Sequence, residues 1–596
     1  MSPSNAGDDE AATPTSADSA GKIDSELTQL SDLEPIDEMG PDLETPQESG
    51  LLRNSALMAG ATILSRITGL GRNMALVAAI GVTVSADAFT LGRTLPDAVY
   101  ALIIGGALNA IFVPQLVRRM KDDSDGGKSY TDSLLTVTGI ALLLLTIVAT
   151  AAAPFLVRLY ATDAYSAGEL DLAIAFARYC LPQIFFFGIY AMLGQVLNAR
   201  GKFTMPMAAP IFNNLVAIAT YVSFIFIFGY NEGGDDLLGS TETAWLGIGT
   251  TLGIVAQAIV LIPVVLKTGY RWKFTTRLRG AGLTKAGKLA GWTIGLFAVT
   301  QVGLIVSSRL TTQANVDANS ADAVSAGLTT YLNAYLVYMI PHGIVTVSIV
   351  TAQLPGLSRM VHAGKDKLAG MEIGHTMRLV MTVISPIAIA LTLVGQPLAT
   401  LMFSYGAADV EQALFLGNIL SIFMLGLPAF TLYYVLQRGW YARENTRTPF
   451  FLAILTNGVF IVLALLWFPL VSPGGPQVSA IAAAFSTGNI VTLLVAWPML
   501  ARVYGTLDSK RTIGVLGRLV IAGLLAVAAS SAANFALNTS FDPADGYRGA
   551  LITLFVTSVT VLVVFSIAAR VMRVPEMQEV LRWGSHGFHR ILQRSR

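Results

Sequence analysis

Apolar runs long enough to cross about 30 Å of hydrocarbon as helices recur along the chain from Leu51 onward. Short polar connections separate these runs, and we count fourteen runs. The predicted spans are 54–81, 86–119, 130–157, 169–199, 204–229, 244–267, 288–312, 324–356, 376–403, 411–441, 449–470, 477–503, 513–537 and 547–571. The pattern therefore predicts an all-α integral membrane protein of about fourteen transmembrane helices.

The charge of the connections alternates along the chain. Even-numbered connections are rich in lysine and arginine, as in "NARGK" and "YARENTRT". The odd-numbered segments are "ATDAYSAGE", "GYNEGGDDLLGSTETA", "TTQANVDANSADA", "SYGAADVEQ", "VSPGGPQ" and "NTSFDPADGYR", and they contain a single arginine, Arg548. Because basic residues concentrate on the cytoplasmic side of a membrane protein, this alternation predicts that both termini are cytoplasmic. We expect a multi-pass protein of the cytoplasmic (inner) cell membrane.

An internal repeat divides the spans into two sets of six. "NARGKFTMPMAAPIFNN" (198–214) resembles "YARENTRTPFFLAILTN" (441–457) at an offset of 243 residues. Two halves oriented alike predict two pseudo-symmetric lobes around a central cavity. We assign 51–270 to the N-lobe and 271–505 to the C-lobe, with the thirteenth and fourteenth spans (506–572) as an added C-terminal hairpin.

The two ends of the chain differ in charge from the body and from each other. The first 49 residues hold thirteen acids and one base, and they lack aromatic residues, which predicts a disordered cytoplasmic tail over 1–50. Thr13 and Thr45 lie beside prolines and acids, a setting compatible with phosphorylation by a Ser/Thr kinase or with an unmodified linker. Residues 573–596 have basic and apolar residues at helical spacing and are expected along the inner membrane surface.

Charged residues inside the predicted spans point to function, since each intramembrane arginine costs about 2.5 to 3.5 kcal/mol on insertion scales. Arginine's planar fork of donors suits phosphate oxygens, so we predict a cationic cavity that binds an anion. Gly69 and Gly71 are candidate hinge positions in the first span. The predicted substrate-binding residues are Ser65, Arg66, Arg72, Arg93, Asp97 and Arg309.

Other interpretations of these charges stay open from the residues alone. The arginines could pair with Asp87 and Asp97 and only hold the helices together, and Asp87 fits a gating salt bridge and a helix N-cap equally well. Nucleotide-binding and hydrolase motifs are absent, and Cys180 is the one cysteine in the sequence. We therefore expect no enzyme, no cofactor and no nucleic acid partner, and a metal site is left undetermined.

Four segments together are similar to a known family. "SRITGLGRN" (65–73), "SADAFTLGRTLPD" (85–97), "GALNAIFVPQL" (106–116) and "LPGLSRM" (354–360) resemble the MurJ (MviN) family of lipid II flippases, within the multidrug/oligosaccharidyl-lipid/polysaccharide (MOP) exporter superfamily. The resemblance implies fourteen helices, two lobes, a central cationic cavity, and a groove between the last two helices for the polyprenyl tail. It places the family's motif residues on Ser65, Arg66, Arg72 and Asp87.

The sequence departs from the family pattern at two positions where that family has arginine. These are Tyr100 in the second span and Leu336 in the eighth. Our hypothesis is that Arg93 and Arg309 supply the missing positive charge.

The resemblance implies a flippase that moves lipid-linked peptidoglycan precursor (lipid II) from the inner to the outer leaflet by alternating access, for cell-wall synthesis. Its expected partners are lipid II, membrane lipids and, through the acidic tail, cell-wall synthesis proteins or a kinase. Transport would draw on the membrane potential or on a monovalent ion. The alternatives are a flippase for another polyprenyl-linked glycan, a MOP-type antiporter, and a cell-envelope scaffold or signalling protein.

Overall fold

A computed structural model of the chain describes residues 46–101, 125, 127–231, 237–275, 283–538 and 546–582, and helices are the regular secondary structure throughout this part. Most of the predicted acidic tail lies outside the described residues, as does the C-terminal end of the basic tail. Residues 102–119 of the second predicted span also lie outside them.

Nine helices form the first lobe. They are α1 (Pro46–Ile80), α2 (Val84–Tyr100), α3 (Lys128–Ala151), α4 (Ala153–Tyr160), α5 (Ala167–Cys180), α6 (Gln183–Ala199), α7 (Thr204–Phe228), α8 (Ser240–Ile259) and α9 (Leu261–Lys267) within the described residues.

The second lobe and the terminal hairpin follow. Their helices are α10 (Leu283–Ser320), α11 (Leu328–Pro341), α12 (Val347–His362), α13 (Asp366–Leu393), α14 (Gly395–Phe403), α15 (Val410–Ala442), α16 (Arg447–Trp467), α17 (Gly475–Tyr504), α18 (Ser509–Asn538) and α19 (Tyr547–Val571) in the part of the chain that the structure describes. A π-helical turn, His342–Thr346, joins α11 to α12.

The predicted fold class is confirmed. Within the described residues, 13 helical segments are long and apolar enough to cross a membrane, and each overlaps one predicted span. Four predicted spans are broken rather than continuous, and the breaks lie at Ala152 in the third, at Leu181 and Pro182 in the fourth, at Val260 in the sixth and at Val394 in the ninth. Pro154 and Pro397 lie in the first turns of the helices that follow Ala152 and Val394, where a residue needs no N–H donor, so a helix can restart there.

The apolar cores follow the two lobes. One large cluster is built almost entirely from residues between 314 and 577, and two smaller clusters almost entirely from residues between 76 and 270. Leu519 of α18 and Phe565 of α19 belong to the large cluster. The terminal hairpin therefore packs on the second lobe.

A buried ion cluster fastens the hairpin to that lobe. Arg378 of α13 donates through Nε to Glu576 Oε1 at 2.6 Å and through Nη1 to Asp508 Oδ2 at 3.0 Å. Arg378 and Glu576 are almost fully buried, and water cannot solvate their charges. Each of the two charges is therefore stabilised by the opposite charge of its partner.

The internal repeat reappears as equivalent contacts in the two lobes. Asn214 of α7 donates through Nδ2 to the Ser65 carbonyl at 3.0 Å, so it lies against α1, the first helix of its lobe. Its repeat partner Asn457 of α16 lies against Gly303 of α10, the first helix of the second lobe, where an added Cβ would collide with Asn457 Oδ1. The sequence repeat therefore corresponds to a structural one.

Candidate functional site

A cavity of about 570 Å³ lies between the two lobes. The first lobe contributes α1, α2, α6, α7 and α8 to its wall, and the second contributes α11. The lining residues are Ser65, Arg66, Gly69, Arg72, Asn73, Arg93, Thr94, Asp97, Gln183, Phe187, Pro210, Asn213, Asn214, Ala217, Thr250, Ile254, Leu332, Tyr335, Leu336, Met339 and Ile340.

The structure brings five of the six predicted binding residues to this one cavity. Helix α1 supplies Ser65, Arg66 and Arg72, and α2 supplies Arg93 and Asp97. Positions 65 and 72 are seven residues apart, and therefore share one face of α1. Their roles in binding remain predictions.

The cavity has more positive than negative charge among its lining residues, with three arginines and one aspartate. None of the ion pairs among the described residues includes Arg66, Arg72 or Arg93. Arg72 donates through Nε and Nη2 to the neutral Asn73 Oδ1 at 3.3 and 3.2 Å, and Arg93 Nε is buried without a hydrogen-bond partner in this part of the chain. No direct ion pair among the described residues therefore blocks these three cations, although the Asp97 carboxylate attracts Arg72 and Arg93 electrostatically.

Asn73 was not singled out by the sequence, although it sets the position of Arg72. Its Nδ2 donates to Asn333 Oδ1 of α11 at 2.9 Å, which joins the lobes beside the cavity. The signal in the sequence is an amide in the middle of an apolar span, and the same signal marks Gln183, Asn213 and Asn214.

Asp87 caps a helix of the opposite lobe. Its buried carboxylate accepts hydrogen bonds from the backbone N–H of Leu328 at 2.9 Å, from that of Thr329 at 2.7 Å and from Asn315 Nδ2 at 2.8 Å. These partners are neutral, and the Thr83 side chain caps Asp87's own helix. The carboxylate therefore acts as a helix N-cap, one of the two sequence interpretations, on α11 rather than on its own helix, where free N–H groups and the helix dipole stabilise it. A gating role for Asp87 remains a prediction.

Further contacts between the lobes lie near Asp87, at the end of the cavity where α1 ends and α2 begins. This is the end predicted to face outward, and we call it the outer end. Thr90 Oγ1 and Thr329 Oγ1 are 2.9 Å apart, and the Ala407 N–H donates to the Ala78 carbonyl at 2.8 Å. The lobes are therefore closed against each other at the outer end.

Arg309 does not line the cavity, so the prediction that it replaces a missing family arginine there is wrong for this structure. Its guanidinium points to the connection after α4, where it pairs with Asp163 and donates to the Arg158 carbonyl at 2.9 Å. Ser308 and Thr312 occupy the buried face of α10, and Arg309 therefore lies on the face that meets the outside of the first lobe.

The candidate hinge glycines lie inside a continuous helix. Gly69 lines the cavity, and an added Cβ there would lie 3.5 Å from Asn214 Nδ2, while one at Gly71 would lie 3.8 Å from Ile218 Cδ1. Both distances are ordinary van der Waals contacts, so the packing of α7 against α1 does not require glycine at either position. Whether α1 bends at them remains a prediction.

Arg438, an arginine of the C-lobe near the cavity, was not among the residues predicted from the sequence. Arg438 of α15 lies over the Tyr434 ring, 4.2 Å from its centroid, and that ring is 4.7 Å from the ring of His342. The next residue, Gly343, borders Arg66, since an added Cβ would lie 2.5 Å from Arg66 Nη2. The only sequence signal of Arg438 is its place as a lone arginine in an apolar run.

The positions that depart from the family pattern remain apolar or aromatic. Leu336 lines the cavity, and the Tyr100 ring packs against Phe187 with centroids 5.4 Å apart. Among the described residues, no group of three or more His, Cys, Asp or Glu side chains could hold a metal ion.

Comparison with known proteins gives a consistent family. The family model described as "Lipid II flippase MurJ" matches residues 76–543. The chain is 27% identical over 464 residues to a probable lipid II flippase MurJ of Rhizobium meliloti, covering 76% of this chain and 83% of that protein. It is 28% identical over 442 residues to a lipid II flippase MurJ of Burkholderia cenocepacia, covering 72% and 80%.

Solved structures show the same fold. A lipid II flippase MurJ in an inward closed conformation matches with a TM-score of 0.66 at 21% identity, covering 87% of this chain and 99% of that one. An inward-facing multidrug resistance MATE family transporter of the MOP superfamily matches with a TM-score of 0.56 at 14% identity, covering 76% and 99%. With a family model that matches most of its length, the chain belongs to the MurJ family of lipid II flippases.

Proposed function

We propose that this chain moves lipid II from the inner to the outer leaflet of the cytoplasmic membrane by alternating access. The observation that carries the proposal is a cavity between two lobes whose three arginines outnumber its one aspartate and form no direct salt bridge among the described residues. A diphosphate brings the oxygens and the negative charge that such a site lacks.

Each of the five predicted binding residues in the cavity has a role in this proposal. Arg66 and Arg72 bind the diphosphate, and Arg93 adds a third cation from the neighbouring helix. Ser65 makes polar contacts to phosphate or sugar, and Asp97 makes polar contacts to the sugar. Asp97 cannot bind the diphosphate directly, because like charges repel, so a sugar hydroxyl is its better partner.

Transport requires that the cavity open to one side at a time. The cap of Asp87 on α11 and the Thr90–Thr329 contact close the outer end in the present conformation. In our proposal these contacts break when the loaded protein opens outward and re-form when it returns. The substrate enters from the cytoplasmic side, where we expect both chain termini.

The competing substrates are other polyprenyl-linked glycans, and the competing mechanism is cation antiport. The similar proteins named above carry the lipid II flippase name, which favours lipid II over another glycan. An antiporter for organic cations would need acidic rather than basic residues in its cavity, so the excess of arginine argues against it.

Depletion of the protein in cells tests the proposal. We expect lipid II to accumulate in the inner leaflet, measured by its protection from a membrane-impermeant probe added outside. Normal exposure of lipid II combined with the loss of another surface glycan would support the alternative substrate and contradict our proposal. Re-expression of the wild-type chain is the control.

A further inference from the structure

A second cavity, apolar and open at the side of the first lobe, is separate from the arginine cavity. It has a volume of about 430 Å³ and shares no lining residue with the arginine cavity. The two lie on different faces of α6, since Phe187 faces the arginines whereas Phe185 and Ile189 line the second cavity. We call this second cavity the lateral groove.

Three helices and one connection build the lateral groove. Helix α3 contributes Ile140 and Leu143, and α9 contributes Ile262 and Leu266, all partly exposed, while α6 forms the floor. The connection 268–275 closes one end with Trp272 and Phe274, whose side chains are 53% and 68% exposed. Exposed aromatic residues at the end of a transmembrane helix are typical of the membrane–water interface.

The polar groups of the groove lining are already satisfied by the protein. Tyr270 donates to Asp132 Oδ1 at 2.6 Å, and burial together with this bond raises the pKa of Tyr270, so the phenol stays a donor. Thr136 Oγ1 donates to the Asp132 carbonyl at 2.7 Å and accepts from Trp272 Nε1 at 3.2 Å. The connection is thereby fastened to α3, and the lining that remains offers only apolar surface to a ligand.

Positive charge surrounds the end of the groove that the connection closes. Lys267, Arg271 and Lys273 are exposed there, and none of the ion pairs among the described residues includes them. A fourth cation, Arg200, is engaged with Thr268 and the Tyr270 ring. An apolar groove with free cations at its interfacial end fits a molecule that joins a hydrocarbon chain to an anionic headgroup.

We propose that the lateral groove is a binding site for an anionic glycerophospholipid. One acyl chain lies in the groove, and the phosphate headgroup contacts Lys267, Arg271 and Lys273. The substrate's polyprenyl tail is a poorer occupant, because α6 separates the groove from the arginines that would hold its diphosphate. The site is independent of the transport cavity.

Gly139 offers a direct way to fill the groove. It lines the groove on α3, and an added Cβ would have no heavy atom within 4 Å. Gly139→Leu therefore starts its side chain in open space on the groove wall, where it competes with a ligand, and it raises helix propensity. Gly458→Leu is the matched control, since this exposed glycine of α16 also has open space around it.

The test is native mass spectrometry of the full-length protein, purified and offered an equimolar mixture of phosphatidylglycerol and phosphatidylcholine. We expect the wild type and Gly458→Leu to retain one phosphatidylglycerol, and Gly139→Leu to lose it. The triple variant K267Q/R271Q/K273Q should lose its preference for phosphatidylglycerol by at least about tenfold, given roughly fivefold per interfacial cation. The charge-matched control K365Q/K367Q/K510Q should keep it.

Three results would overturn the proposal. They are equal retention of phosphatidylglycerol by Gly139→Leu and the wild type, equal retention of both lipids by the wild type, and mole-for-mole displacement of phosphatidylglycerol by a polyprenyl diphosphate. The last result would assign the groove to the substrate tail.

A second measurement keeps the proposal testable if Gly139→Leu does not fold. Phosphatidylglycerol with brominated acyl chains should quench Trp272 emission, taken as the difference between wild type and Trp272→Phe. We expect stronger quenching than with brominated phosphatidylcholine in vesicles of otherwise equal composition. Equal quenching by the two lipids would contradict the proposal.

Discussion

At the scale of single residues, Arg93 and Arg309 form an informative contrast, because the sequence predicts the same role for both. Arg93 lines the arginine cavity with a buried Nε that lacks a partner among the described residues. Arg309 instead pairs with Asp163, whose side chain is 90% exposed. An ion pair this close to solvent contributes at most about 1 kcal/mol to stability.

We therefore predict opposite effects of removing these two arginines. Arg93→Ala should weaken lipid II binding by roughly 10- to 100-fold, since a hydrogen bond to a charged group is worth about 1.5 to 3 kcal/mol. Arg309→Ala should leave binding and growth close to normal. Complementation of a depletion strain, together with binding of lipid II to the purified variants, measures both effects.

Arg93→Lys is the control for charge alone and should keep part of the affinity, since lysine lacks the planar fork. If Arg309→Ala abolished complementation while Arg93→Ala did not, the assignment of the cavity residues would be wrong.

The sequence could identify the cavity arginines but not all of their neighbours. Intramembrane charge is rare and costly, so Arg66, Arg72 and Arg93 were visible without a structure. Asn73 is harder to find, because an amide inside an apolar span is a weaker signal than a charge, which is rarer there and costs more to bury. The prediction for Arg309 was wrong because helical spacing shows only which residues share a face of one helix. Which neighbour that face contacts depends on how α10 packs against the first lobe, and the sequence does not give this packing.

At the scale of helices, Asp87 of the first lobe holds the outer end closed, because its carboxylate caps the N-terminus of α11 in the second lobe. Gly327 precedes α11, and an added Cβ would collide with Asp87 Oδ2 and lie 2.8 Å from Asn315 Nδ2. The close approach of Asp87 to α11 therefore requires glycine at this position.

Gly327→Ala should open the outer end by displacing Asp87 from its three donors. One buried donor left without a partner costs about 1 to 3 kcal/mol, so the loss of a single one of these bonds already corresponds to roughly a 5- to 150-fold shift toward the open state. The measurement is the labelling rate of Thr94→Cys, a cavity position, by a membrane-impermeant maleimide added from outside, in a Cys180→Ala background. We expect the rate to rise by a factor in that range.

Asp87→Ala should give the same increase by removing the acceptor itself. Gly291→Ala is the control, because this glycine of α10 has no heavy atom within 4 Å of an added Cβ. Unchanged labelling in both Gly327→Ala and Asp87→Ala would show that the cap does not hold the outer end closed.

The attachment of the terminal hairpin is a separate prediction about stability. Arg378→Gln removes the partner of the buried Glu576 and should destabilise the protein by about 3 to 5 kcal/mol, because an uncompensated buried charge remains. Thermal unfolding in detergent measures the loss. Replacing both partners, as in R378M/E576M, should recover most of it.

Arg443→Gln is the matched control for this prediction. Arg443 pairs with Asp366 at 2.7 Å, but both side chains are about one-third exposed or more, so the loss should stay below about 1 kcal/mol. Equal destabilisation by Arg378→Gln and Arg443→Gln would contradict a special role of the buried pair.

The existence of the helices was easier to predict than their ends. Span length and apolar content placed thirteen segments correctly, because the bilayer demands both. The start of α13 at Asp366, ten residues before the predicted 376, was missed, since a helix continues into polar residues outside the hydrocarbon. The break at Val394 was missed because a bend between two apolar helices leaves the hydropathy unchanged.

At the scale of the whole molecule, the sequence repeat predicted two lobes. The structure agrees at the equivalent positions Asn214 and Asn457, which make equivalent packing contacts in their lobes. The repeat could not predict how unlike the lobes are in charge. The first lobe supplies all the charged residues that line the cavity, whereas the second contributes only apolar and aromatic side chains from α11. The anion is therefore expected to move with the first lobe.

The charge of the cargo makes the membrane potential a driving force for the whole cycle. A diphosphate with about two negative charges gains roughly 4.6 kcal/mol per 100 mV when it moves outward across a membrane whose inner side is negative. In proteoliposomes with lipid II, a potassium diffusion potential of either sign should therefore shift the outer-to-inner ratio of the substrate in opposite directions, up to roughly 2,000-fold per 100 mV. Protein-free vesicles are the control, and an impermeant probe of the outer leaflet gives the ratio. A ratio independent of the potential would mean that co-transported cations, about two monovalent ions for each diphosphate, cancel its charge, and the gradient of that ion rather than the potential would then drive the outward step.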